Sequence, residues 1–304
     1  MNVILCIICN RDDNLYRKTG CKKWPRYEKK LNMDHWDEIL NDLSKLKSNQ
    51  LCFIGGNPLL RIERVNEIIE VSKKYGFNTF VIYSNGTIID DNVIKILKEN
   101  NIILSIQILS FNPNTLLKLG LDPQIEKEIK NNIERLIEAQ VNFVVQILVN
   151  RYNEDEIDDI RNILKNEYNI SNIVVDFIYK KPENTYYSEK YLNNMYTKTF
   201  TKVSKEKFNA LQMWNSCFKG QLSIREDGEI LICPMMRKSF GNVLKNKIYE
   251  ILREKEYNEY VNMSRSTIGK CKECAYQYNC VDCRAIESAA TGDIYGLEYC
   301  NIKD

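Results

Sequence analysis

Seven of the eleven cysteines, Cys217, Cys233, Cys271, Cys274, Cys280, Cys283 and Cys300, fall in the last third of this 304-residue chain, and none lies between Cys52 and Cys217. A Cys-x2-Cys pair puts two sulfurs within reach of one metal centre, and a loop-rich segment wraps others around it as thiolates. Seven sulfurs exceed one tetrahedral site, so two centres follow, one of them short of a fourth cysteine. Metal binding then becomes folding energy for a region with a small apolar core. Spacing alone leaves open an iron centre, a zinc ribbon on Cys271, Cys274, Cys280 and Cys283, and unliganded buried thiols. His35 is the only histidine, which excludes Ser-His-Asp and histidine-rich metal chemistry. Its place at a helix start gives it a surface or capping role.

A second group of residues could cradle a small molecule. Gly55, Gly56 and Asn57, followed by Pro58, stand after an apolar run; Ser84, Asn85, Gly86 and Thr87 stand after the next; Asn150 follows a later one, with Asn153 and Glu156 behind it. Glycines let the backbone approach a ligand closely. Taken alone, glycines and asparagines also simply turn the chain.

The elements that must position these residues can be read from periodicity. Near-continuous apolar runs at 3–9, 51–54, 79–83, 102–108, 143–149 and 173–178 predict parallel strands covered on both faces. Amphipathic stripes predict helices between them: Trp36, Ile39, Leu40, Leu43 and Leu46 in the first, with Asp34 as its cap, then 62–75, 92–98, 125–139 and 154–166. Strands alternating with helices imply right-handed crossovers and an α/β fold with a parallel sheet or open barrel. Cys52 is expected in the core. Residues 180–216 read as a polar linker in which Tyr186, Tyr187, Tyr191 and Tyr196 pack half-buried, and Lys202, Lys205 and Lys207 form a solvated helix face. Runs at 221–224 and 229–233 predict a hairpin around Asp227-Gly228, and a helix is expected over 248–263.

Composition bounds the partners. The chain is 44% apolar and 28% charged with a formal net charge of +2, which excludes collagen-like and disordered classes and gives no basic field for nucleic acid. The amino terminus lacks signal-peptide features, and no apolar window is long enough for a membrane span. A cytoplasmic protein with reduced thiols is expected, which favours metal over disulfides.

Cys217, ten residues, Gly228, four residues, Cys233, then Cys271-x2-Cys274-x5-Cys280 and a late Cys300 resembles the SPASM domain of radical S-adenosylmethionine (SAM) enzymes that modify peptides and proteins. The Phe240-Gly241-Asn242-Val243 turn is similar to that module as well. The resemblance implies two 4Fe-4S clusters, the first on Cys217, Cys233 and Cys283, the second on Cys271, Cys274, Cys280 and Cys300. Cys280 and Cys283 are separated by two residues where the family usually has three.

The first two thirds resemble the radical SAM partial barrel of six βα units. Gly55-Gly56-Asn57-Pro58 resembles its Gly-Gly-Glu-Pro motif, whose acidic side chain holds the methionine ammonium. Ser84-Asn85-Gly86-Thr87 resembles its Thr-Asn-Gly turn, and Val149-Asn150 also fits. All stand at carboxyl ends of strands, where such folds build sites. The implied fold is a partial (βα)6 barrel over 1–180, a linker over 181–216 and a SPASM domain over 217–304.

Three departures concern one cofactor. No Cys-x3-Cys-x2-Cys loop follows the first strand; Asn57 replaces glutamate; and the fourth strand ends Gln107-Ile108-Leu109-Ser110 where the family tends to Ser-Leu-Asp-Gly. Loop residues 10–21 echo the family at Asn10-Arg11 and Asn14-Leu15, with aspartate and basic residues where cysteines would stand, and Arg11, Asp12 and Asp13 are expected in solvent. Asn2-x3-Cys6-x2-Cys9 fits the spacing with asparagine in first place, inside an apolar run. The expectation is a degenerate member that binds a precursor peptide beside a partner such as an ATP-grasp ligase or an active radical SAM protein, without ordinary cleavage of SAM. The alternatives are an active enzyme with an atypical cluster on Cys6, Cys9 and Cys21, and a zinc-stabilised adaptor.

Overall fold

A computed structural model describes residues 4–8, 30–178, 187–193, 202–280, 283–300 and 302. Residues 9–29, with Cys9, Cys21, Arg11, Asp12 and Asp13, lie outside that set, as do Asn2, Tyr186 and Tyr196.

Six parallel strands form as the apolar runs require: β1 (Ile4–Ile8), β2 (Gln50–Ile54), β3 (Thr79–Ser84), β4 (Ile103–Ile108), β5 (Phe143–Val149) and β6 (Ile173–Phe177). Helices return the chain between them, α1 (Met33–Ser44), α2 (Ile62–Lys73), α3 (Asp91–Glu99), a short α4 (Pro113–Lys118), α5 (Ile125–Glu138) and α6 (Ile157–Tyr168). The expected βα alternation is therefore present. Alternation along each strand sends Leu51 and Phe53, Phe80 and Ile82, Ile106 and Ile108, and Val145 and Ile147 into one core with Trp36, Leu40, Ile69 and Ile133 from the helices. Each such side chain contributes about 1.5–3 kcal/mol by leaving water. Cys52 is buried in β2, as expected.

The sheet runs further than six strands. Its order is β6-β5-β4-β3-β2-β1-β7-β8, where β7 (Gln221–Arg225) pairs in parallel with β1 and β8 (Ile230–Leu231) closes antiparallel on β7. The expected hairpin is thus also an extension of the barrel sheet. Gly228 turns it at φ +90°, and Arg225 clamps Asp227 through two hydrogen bonds of 3.0 and 2.6 Å. The 240–243 turn lies on the same hairpin: Phe240 N–H donates to Ile230 at 2.9 Å and Val243 N–H to Gly228 at 2.9 Å.

Two expectations about helices need correction. Asn32, not Asp34, caps α1: it accepts from His35 N–H at 2.9 Å while its own N–H donates to His35 Nδ1 at 3.1 Å. The capping role of His35 follows from this reciprocal pair. The single helix over 248–263 is two, α10 (Ile248–Ile251) and α11 (Lys255–Val261), because Glu254 leaves helical geometry at ψ 141°. Before them, α7 (Glu189–Asn193), α8 (Lys205–Met213) and α9 (Ser216–Lys219) lead into β7, with Tyr187 and Tyr191 half-buried and Lys202, Lys205 and Lys207 exposed. A last helix, α12 (Arg284–Thr291), follows Cys283.

Candidate functional site

Two groups of expected site residues stand at opposite ends of the sheet. The first lies where β2 and β3 end. Gly55 and Gly56 take φ of +80° and +54°, a left-handed pair that other residues adopt only with strain, and deliver Asn57 to the interior at 4% exposure. Both ends of its amide are engaged: Oδ1 accepts from Ser84 Oγ at 3.0 Å and Leu59 N–H at 3.3 Å, while Nδ2 donates to Asn85 Oδ1 at 3.0 Å. Asn85 Oδ1 in turn accepts from Thr87 N–H at 3.1 Å and Thr87 Oγ1 at 2.8 Å. The structure therefore brings Asn57, Ser84 and Asn85 together as one buried network. Asn150 works elsewhere, accepting from Tyr152 N–H at 2.9 Å and donating its N–H to Asn153 Oδ1 at 2.7 Å. Asn153 binds the carbonyls of Leu109 and Leu148, and Glu156 accepts from Ser110 at 2.5 Å and Thr115 at 2.5 Å, tying the ends of β4 and β5.

The second group lies at the other end of the sheet, where β7 begins. Cys217 lies in the short helix α9 just before β7, and Cys233 follows β8, so the antiparallel hairpin returns both to one edge. Cys217 and Cys283 are near enough to Cys233 to act on its thiol electrostatically, while burial pushes that thiol up to about 12. These three are the cysteines expected at one centre. Cys283 also packs with Cys280, Cys300 and Tyr187 around Ile286 and Tyr299, which sets it between the two thiol groups. Short turns shape the loop: Cys274 N–H donates to Cys271 carbonyl at 3.2 Å and Cys280 N–H to Tyr276 carbonyl at 2.9 Å.

Two residues that sequence reasoning missed hold this region. Glu287, fully buried in α12, accepts from Glu298 N–H at 2.7 Å and Tyr299 N–H at 3.2 Å, latching the segment that carries Cys300. Arg284 donates to the carbonyls of Ile294 at 3.1 Å and Gly296 at 2.8 Å. Neither carries a motif; both read as helix polarity.

The donor chemistry fits an iron–sulfur cage. Partly buried Cys280, Cys283 and Cys300 pack on one cluster with Ile286 and Tyr299, so three thiols share one small apolar pocket, and the buried Tyr299 hydroxyl has no hydrogen-bond partner among the described residues. Among the described residues no three Cys, His, Asp or Glu side chains converge as ligands of a single ion; a cage instead takes each thiolate at a different iron. The SAM cradle fits less well: the position that should hold an ammonium carries a neutral amide already spent inside the protein.

Among the described residues no helix is long and apolar enough to cross a membrane. A family model of the radical SAM superfamily matches residues 4–164, and one of an iron-sulfur cluster-binding domain, SPASM, matches residues 217–275. The cysteine-type anaerobic sulfatase-maturating enzyme of Clostridium perfringens is 21% identical over 312 residues, 87% of this chain and 83% of that one. The solved structure of anSMEcpe with bound AdoMet superposes with a TM-score of 0.72 at 16% identity, covering 98% of this chain and 94% of its own. Streptococcus suis SuiB bound to precursor peptide SuiA does so at 0.58 and 14% identity, covering 93% and 72%. By its barrel, and by the family model that spans more than half of it, this chain belongs to the radical SAM superfamily.

Proposed function

We propose that this protein acts in maturation of a ribosomally made peptide, holds two 4Fe-4S clusters on its seven late cysteines, and does not carry out ordinary reductive cleavage of SAM. Cys217, Cys233 and Cys283 would hold the first cluster and Cys271, Cys274, Cys280 and Cys300 the second, and such groups supply one-electron transfer. The module over 217–304 then serves a barrel over 1–180 through a linker at 181–216.

The observation that carries the reading is Asn57. A methionine ammonium needs a carboxylate partner; here a neutral amide stands in its place with both polar ends committed to Ser84, Leu59 and Asn85. Gln107 is likewise engaged, donating to Gln146 Oε1 at 2.8 Å, and Gln146 donates to Asp176 at 2.9 Å. The peptide enters from the relatives: SuiB is solved with a precursor peptide, and the Clostridium enzyme matures sulfatases. A partner such as an ATP-grasp ligase or an active radical SAM protein would complete the chemistry in the cytoplasm.

Cys6 stands in the middle of β1, register partner of Cys52 and Ser223, away from the strand ends where such folds build sites. That placement speaks against an atypical cluster on Cys6, Cys9 and Cys21. Anaerobic purification tests the whole reading. We expect about eight irons and eight sulfides per chain, the content of two four-iron cages, unchanged when Cys6, Cys9 and Cys21 become alanine, and no 5'-deoxyadenosine under reductant. Iron near twelve with 5'-deoxyadenosine formed replaces this reading with an active enzyme; zinc without acid-labile sulfide replaces it with an adaptor.

A further inference from the structure

Gln221 is the first residue of β7, and its backbone is fixed from one side by pairing with Ile4 of β1. On the other side, the register that sets Ser223 opposite Leu231 and Ile224 opposite Ile230, carried two residues further, sets Gln221 opposite Cys233. Its Nε2 donates to Cys217 Sγ at 3.4 Å, and the Gln221 side chain and the Met235 N–H both lie close enough to Cys233 to favour its thiolate. A glutamine amide has two N–H donors. Here one side chain donates to one sulfur and lies beside a second from a chain segment sixteen residues on.

We propose that Gln221 is a positioning residue for the centre on Cys217, Cys233 and Cys283, holding the first two sulfurs at a fixed separation and tuning the reduction potential of the bound group through N–H to sulfur hydrogen bonds. This deepens the cluster assignment and rests on it. Hydrogen bonds from N–H to a thiolate are charge-assisted and stabilise the electron-rich state. Reduction adds charge to the cage, so each such donor raises its potential. The sheet makes the donor stiff, because β1 pairs with Gln221 itself and β8 holds Ser223 and Ile224 just beyond it.

The test uses the full chain, purified anaerobically, with three variants and a redox titration followed by electron paramagnetic resonance. A Cys217→Ala, Cys233→Ala double variant should lose about half of its iron and one of two reducible signals; if iron does not fall, the cluster assignment itself fails. Gln221→Leu keeps the shape and removes the donors. We expect it to retain full iron and sulfide, with the same signal titrating at a lower potential and the other signal unmoved. Gln221→Asn, with donors one methylene shorter, should shift in the same direction by less. If the double variant loses iron but Gln221→Leu leaves both potentials where they were, the proposal is overturned and the cluster assignment stands. If Gln221→Leu loses the same iron as the double variant, Gln221 is a ligand or a fold element, and the tuning role is overturned.

Discussion

The Ser84 hydroxyl donates to Asn57 Oδ1 at 3.0 Å, joining the ends of β3 and β2 inside the protein. The same Ser84 oxygen accepts from Gly86 N–H at 3.1 Å, so one hydroxyl serves both turns. A site built to receive an ammonium keeps an acceptor in reserve; here Asn57 Oδ1 already takes two donors.

Asn57→Ala should therefore cost stability. It strips an acceptor from Ser84 and Leu59 and a donor from Asn85 in a dry setting, worth about 1–3 kcal/mol in denaturant unfolding. In a double-mutant cycle with Ser84→Ala the two losses should be less than additive, with a coupling of about 0.5–3 kcal/mol. Additive losses would show that the pair is geometry without energy.

Gly86 supplies the second check on this end of the sheet. It sits at φ +73°, and a Cβ there would lie 2.7 Å from Ile106 Cγ2. Gly76 shares the left-handed backbone at φ +86° but has open space around it. Gly76→Ala should cost about 1–2 kcal/mol from backbone strain alone, and Gly86→Ala more, because a buried isoleucine must move as well. Equal losses would show that Ile106 yields without cost.

The strands of the barrel were legible because burial on both faces leaves unbroken apolar runs such as 143–149. The parallel union of β7 with β1 was not, since it joins segments more than two hundred residues apart and no local pattern encodes it. The Asn32 cap hid behind Asp34, because both residue types cap helices and only the reciprocal bond to His35 decides between them. At the site, the types of Asn57 and the seven cysteines carried the signal, while the network that immobilises Asn57 is a matter of packing. Gln221 could have been found by extending the hairpin register from the Asp227-Gly228 turn. Glu287 and Tyr299 could not, as their importance comes from a chain return eleven and twelve residues later.

Glu287 offers a prediction that separates holding a loop from binding iron. Its carboxylate accepts two backbone N–H groups just before Cys300 with no exposure to solvent. Glu287→Ala should cost about 3–6 kcal/mol, two charge-assisted bonds at about 1.5–3 kcal/mol each, and lower the iron retained by the second centre. Glu287→Gln keeps one acceptor oxygen and should retain more iron than the alanine variant. If both variants hold full iron, the segment carrying Cys300 is fixed by other contacts.

The final prediction concerns pH. Tyr257 is buried in α11, edge-on to Phe240 with ring centroids 5.4 Å apart, and burial pushes its hydroxyl up to about 12 from an ordinary value of 10. The folded state keeps this proton where the unfolded chain releases it. Stability from this group is whole below pH 10, falls as pH rises between 10 and 12, and is gone above the folded value. Two units correspond to about 2–3 kcal/mol across that window. Tyr257→Phe removes the titrating group and keeps the ring, so it should flatten this part of the stability profile and delete one late step from an ultraviolet titration of tyrosinate. An unchanged profile in the variant would assign the alkaline loss to the other tyrosines.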